Sequence, residues 1–161
     1  MENKHNYLII LITLLFLTYG CSQYNKVADD LAFLTPDKFQ CTVMQIYSGD
    51  TFLCQLSGLD NERIKLIGIT IPASKKKEAK NYTKSVLKRG TLVKIEPANE
   101  IRDSHGNIPA YVFVPGGKML NIMLAEKGLA EINIQEMDKY KSSFIEIQKK
   151  REVEIIEETE N

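Results

Sequence analysis

The sequence predicts an α+β domain, a five-stranded OB-type β-barrel carrying about three helices. Two observations carry that prediction. The first is order: three β-rich runs, an amphipathic helical stretch, two more β-rich runs, then helices. That is the order of an OB-type barrel with helices added. The second is punctuation. Turn-forming residues fall between the runs, at Ser48-Gly49, at residues 57–61, at Pro72, at Gly90, at residues 102–107 and at Pro115-Gly116-Gly117.

F-Q-C-T-V-M-Q-I-Y and T-F-L-C-Q-L are the first two strands, and Ser48-Gly49 suits a two-residue hairpin loop. Phe52, Cys54 and Leu56 alternate along the second strand and are assigned to the core. R-I-K-L-I-G-I-T-I is read as one third strand, ended by Pro72. Residues 74–89 form an amphipathic helix with Ser74 as candidate N-cap. Ala79, Tyr82, Val86 and Leu87 share one stripe, the lysines take the other, and Gly90 serves as C′. T-L-V-K-I-E-P is the fourth strand, R-D-S-H-G-N a loop and I-P-A-Y-V-F-V the fifth strand. M-L-N-I-M-L-A-E-K-G-L-A is a short helix. Met137, Tyr140, Phe144 and Ile147 step at helical spacing through a final helix, as packing residues.

The chain has 161 residues, enough for one domain plus tails, and its 21 basic residues balance 21 acidic ones. No global field draws it to nucleic acid. Charge is uneven along the chain, however. Lys75, Lys76, Lys77, Lys80, Lys84, Lys88 and Arg89 cluster in mid-chain, and residues 151–161 are acidic. The basic run reads either as a solvated helix face or as one wall of a polyanion groove. The only histidines are His5 and His105, so no thiolate or imidazole metal site can be assembled. Cys41 and Cys54 lie on opposite arms of the first hairpin. A turn near Ser48-Gly49 sets Cys41 opposite about residue 56, so a bridge would need distortion, and two buried free thiols are expected.

Residues 1–20 read as an export signal. Lys4 supplies positive charge, and Leu8–Leu17 is apolar and uncharged apart from its polar Thr13. At about ten residues it is short of the roughly 20 that span a bilayer. The following T-Y-G-C-S resembles the lipobox of a bacterial lipoprotein, with Thr18 where that pattern prefers leucine. The resemblance implies lipidation of Cys21 and residence in the cell envelope, held at the membrane. Ordinary secretion and an uncleaved anchor are the other readings. Residues 21–37 are then a tether, 38–150 the folded domain and 151–161 an acidic tail.

S-G-D-T-F, R-I-K-L-I-G-I-T-I-P, K-E-A-K-N-Y-T-K-S-V-L, D-S-H-G-N-I-P-A-Y-V-F and L-N-I-M-L-A-E-K-G-L-A follow one another at compact spacing. Together they resemble the staphylococcal (thermonuclease-like) nuclease family, over about residues 39–150. Active members of that family are calcium-dependent phosphodiesterases. Two carboxylates and a backbone carbonyl hold calcium, a glutamate positions or activates water, and two arginines clamp the phosphate. Calcium needs several hard oxygen ligands, and an arginine fork fits phosphate oxygens as lysine does not.

Carried over residue by residue, the resemblance places the first calcium carboxylate on Asp50, which is present. The first arginine falls on Lys65, the second calcium carboxylate on Thr70, the glutamate on Ala73 and the second arginine on Asn107. A further acid common two places before Asp50 is Ser48 here. Arg63 shares the strand face of Lys65, but one repeat away, about 6.6 Å. Asp50 therefore reads either as a metal ligand or as a turn residue whose carboxylate accepts backbone N–H groups. Losing a general base costs about 10²–10⁴ in rate, and losing one charge-stabilising donor about 10²–10³.

The sequence thus favours a membrane-anchored, catalytically inactive binding module for a protein or a polyanion. Arg63, Lys65, Lys75, Lys76 and Lys77 are its candidate polyanion contacts. Nucleic-acid binding is expected to be weak if it occurs. No cofactor is expected, or calcium at Asp50 if the chain is active. Two alternatives stay open: a weak or rewired phosphodiesterase drawing acids from Glu100 and Asp103, and a structural envelope lipoprotein.

Overall fold

The computed structural model describes residues 38–56, 61–98, 102–137 and 139–159, with side chains through residue 153. The segment read as signal, lipidation site and tether lies outside the described residues, as does Glu100. Five strands close a barrel in the order β1 (Phe39–Ile46), β2 (Thr51–Leu56), β3 (Asn61–Leu66), β6 (Ile108–Phe113) and β5 (Leu92–Pro97), with β5 returning to β1. All neighbours are antiparallel except β3 and β6. Closure removes free sheet edges. The order of the barrel strands and of the helices is the one expected. Phe52, Cys54 and Leu56 point into the core as their alternation predicts.

The expected third strand is two strands. β3 stops at Leu66, and Gly68 turns the chain with φ +76°. A Cβ on Gly68 would sit 2.5 Å from Met137 Cε. Glycine is therefore needed there both for the left-handed conformation and for room. The chain then resumes as β4 (Ile69–Thr70), paired with β7 (Glu131–Ile132) outside the barrel. Asn121, fully buried in α2 (Leu120–Glu126), fixes this exit. Its amide donates to the carbonyls of Ile67 (2.9 Å) and Ala110 (3.2 Å) and accepts the Val112 N–H (3.0 Å).

The first hairpin loop is longer than the two residues expected. Tyr47–Asp50 lie between β1 and β2, closed by the Tyr47 and Ser48 N–H groups on the Thr51 carbonyl. Gly49 has no left-handed φ. Its reason for being glycine is α1 (Lys76–Val86), because a Cβ there would lie 2.6 Å from Ala79 Cβ. Buried Thr83 of the same helix donates to the Gly49 carbonyl at 2.6 Å. The loop is thus clamped onto α1 by one close contact and one hydrogen bond.

Four other details differ. A 3₁₀ turn, Ala73–Lys75, precedes α1, so Ser74 is not its N-cap and no side chain caps it. Gly90 is not the C′ residue either. It donates to the Val43 carbonyl on the way into β5. Met137 and Tyr140 precede the last helix, α3 (Lys141–Thr159), which extends through most of the segment read as a tail. Tyr140 has φ +59°, a costly conformation for a bulky residue. It is over-determined: its ring packs edge-on against Tyr111 at 4.9 Å, and its hydroxyl donates to buried Glu96 at 2.8 Å. Glu96 also takes Lys38 and Lys139, each at 3.0 Å, which joins the start of β1 to the entry of α3.

Cys41 and Cys54 form a disulfide, contrary to the expected free thiols. The expected register is correct: Cys41 faces Leu56, and Cys54 faces Val43. They are therefore a diagonal pair, ordinarily about 7–8 Å apart. Here the Cα atoms are 5.7 Å apart, within disulfide range. A bulge between Val43 and Gln45 lies in this stretch of β1, and bulges increase local twist.

Candidate functional site

A groove of about 620 Å³ opens between the β1–β2 loop, β3, β4 and the start of α1. The loop contributes Tyr47, Ser48, Gly49, Asp50 and Thr51. β3 contributes Lys65, opposite Thr51 in the ladder. Ile69, Thr70 and Ile71 form a second wall, Lys76 and Lys80 a third, and Glu136 reaches in from the turn after β7. Three lysines face two carboxylates in this groove. Arg63, exposed on β3, adds a fourth cation at the rim, its guanidinium 5.0 Å from the centre of the Tyr47 ring.

Asp50 is buried, and its carboxylate takes three side-chain donors from this chain. One oxygen accepts the Ser48 hydroxyl at 2.6 Å and the Thr51 hydroxyl at 3.1 Å. The other pairs with the Lys65 ammonium. The expected backbone N–H donors are replaced by side-chain donors. Burial pushes the Asp50 carboxyl up, but Lys65, Ser48 and Thr51 together outweigh it and hold it below the ordinary aspartate value. It is ionised at neutral pH and compensated internally.

The other expected positions divide. Thr70 lines the same groove and is exposed, a neutral hydroxyl on β4. Ala73 is exposed at the start of the 3₁₀ turn and does not line the groove. Asn107 is buried and turned away. Its amide donates to Asp103 at 2.7 Å, and its N–H donates to the same carboxylate at 2.9 Å. Asp103, read as a reserve acid, is thus the organiser of its own loop. Burial pushes its carboxyl up, and bonds from Asn107 and His105 bring it below the ordinary value. Of the candidate polyanion contacts, Lys65 and Lys76 line the groove. Lys75 is held by Glu78 at 3.0 Å, and exposed Lys77 is not in the wall.

Lys80 lines the groove although it is not among the expected contacts, and so does Glu136. Glu136 accepts from Asn133 at 2.7 Å. Nothing in its local sequence marks it, because the pairing of β4 with β7 carries it to the groove. Tyr47, at the end of the first expected strand and the start of its hairpin, also lines the groove.

A calcium ion takes six to eight oxygen ligands, and this donor set does not fit one. Both Asp50 oxygens are engaged by side chains of this chain, one of them by an ammonium whose charge opposes a cation. The other carboxylate lining the groove, Glu136, accepts from Asn133. Among the described residues no three acidic, histidine or cysteine side chains gather as a metal site. The groove presents cations beside a tyrosine face and a short apolar wall. That arrangement can bind an anion, but it offers no uncommitted carboxylate beside Asp50.

Among curated proteins none matches the chain. The family model described as staphylococcal nuclease homologue matches residues 63–153, more than half of the chain. With the closed barrel and three helices in the expected order, the chain belongs to the staphylococcal nuclease family.

Proposed function

We propose that the chain is a membrane-anchored, non-catalytic member of its family that binds an anion in the Asp50 groove without cleaving it. The observation that carries this reading is the Lys65 ammonium on the Asp50 carboxylate. It puts a fixed positive charge where metal chemistry would need an open coordination site. Lys76 and Lys80 have no acidic partner among the described residues and face the same space. They can meet phosphate oxygens as point charges.

Export to the envelope and lipidation of Cys21 complete the reading. The apolar run followed by Gly20-Cys21 motivates them. The Cys41–Cys54 disulfide supports export, because such bonds persist in oxidising compartments. Cys21→Ser is expected to move the chain out of the membrane fraction, and an unmodified Cys21 on membrane-bound protein would sink the anchor. For the groove, calorimetry with a nucleoside diphosphate is expected to give weak binding that salt suppresses. Lys76→Gln with Lys80→Gln should abolish it. Binding that appears only when calcium is added would contradict this function.

A further inference from the structure

We infer that the seam between β1 and α1, continued onto β5, is a docking surface for an anionic lipid bilayer. Lys76, Lys80 and Lys84 recur every fourth residue of α1, and Lys88 and Arg89 follow its last turn. Successive members of such a row rise about 6 Å and share one helix face. Glu78, the one carboxylate of α1, lies about 200° round the helix from Lys76 and Lys80 and is held by Lys75.

A second groove, of about 360 Å³, runs along this ridge. Its walls are Val43–Ile46 of β1 on one side and Lys80, Lys84, Leu87, Lys88 and Arg89 on the other, with no acidic residue. Lys80 belongs to both grooves, so the positive track is continuous with the Asp50 site. Past Arg89 the chain enters β5, whose outward positions are Leu92, 53% exposed, and Lys94. Among the described residues none of Lys80, Lys84, Lys88, Arg89 and Lys94 makes an ion pair. The chain as a whole is neutral, so this face is a one-sided concentration of charge.

Charge and shape favour a bilayer over a nucleic-acid strand. No aromatic residue lines the second groove, so bases would find no stacking platform. A solvated leucine among lysines suits an interface instead. Its side chain can enter the headgroup boundary while the lysine stems reach up to lipid phosphates. This inference does not rest on the anion reading of the Asp50 groove, with which the surface shares Lys80, although the proposed membrane anchor would hold it near its ligand.

The test is lysine-acetylation footprinting of the full chain, read by mass spectrometry. The protein is mixed with vesicles of phosphatidylcholine alone or of phosphatidylcholine with phosphatidylglycerol. The anionic vesicles are expected to slow labelling of Lys80, Lys84, Lys88 and Lys94 by roughly tenfold. Lys149 and Lys150 on α3 should stay unchanged. High salt should remove the protection. In Lys84→Gln with Lys88→Gln, two exposed changes, Lys80 and Lys94 should lose it too. Equal labelling in both kinds of vesicle overturns the inference. So does protection by a single-stranded oligonucleotide where anionic vesicles give none.

Discussion

Purified protein supplied with calcium is expected to leave DNA and RNA uncut above background, and Asp50→Ala is expected to change nothing. The physical reason is distributed over four positions. Lys65 cancels the charge of Asp50 instead of clamping phosphate. Thr70, the position to which the resemblance gives the second metal carboxylate, offers a hydroxyl. Ala73 can move no proton, and Asn107 is buried against Asp103. Loss of the base alone costs about 10²–10⁴ in rate. Roles within one machine are not additive, yet a total deficit on the order of 10⁴ is expected. Single restorations, such as Lys65→Arg, should therefore stay silent. Restoring Lys65→Arg, Thr70→Asp, Ala73→Glu and Asn107→Arg together should give calcium-dependent cleavage. It requires position 107 to give up its bonds with Asp103. Turnover by the unmodified protein that disappears in Asp50→Ala would reveal a working site and end the non-catalytic reading.

The second large effect is on stability. The Cys41–Cys54 bridge closes a short loop, with a sequence separation of 13. A loop of that size constrains the unfolded chain by about 3 kcal/mol. Reduction is expected to lower the unfolding free energy by about that amount, with a fall in Tm on the order of 10 °C. Urea titration with and without reductant measures it. An unchanged midpoint in protein shown by mass to be fully reduced would contradict the loop-entropy account. Two free thiols in protein isolated without reductant would contradict the bridge itself.

The barrel was legible because its strands are short, β-rich and separated by turn residues. The succession of strands along the chain and the inward face of β2 follow from those local signals. The details that failed depend on distant partners. Gly49 looked like a turn glycine, but Ala79 of α1 sets the need for it. Met137 and Tyr140 kept helical spacing with Phe144, yet Tyr140 is held left-handed by Tyr111 and Glu96 before the helix begins. The cysteine register was right, but the closeness of that diagonal pair was not, because strand twist leaves no mark in the sequence.

At the site, Asp50, Lys65 and Thr70 line one groove, since a loop, β3 and β4 carry them. Lys65 as the partner of Asp50 was not foreseen. The two had been assigned separate roles, and only the opposition of Thr51 and Lys65 in the ladder joins them. Asn107 was assigned to the phosphate site, and a carboxylate four residues earlier in its own loop turns it away. Glu136 reaches the groove only through the pairing of β4 with β7.

The central claim is that Asp50 is a carboxylate compensated from within by Lys65, Ser48 and Thr51 and not a metal ligand. Calcium titration of the unmodified protein by calorimetry, with and without a nucleoside diphosphate, addresses it most directly. The expected result is no saturable calcium heat in either condition, with any nucleotide binding unchanged by the metal. Saturable calcium binding that Asp50→Ala removes would contradict the claim.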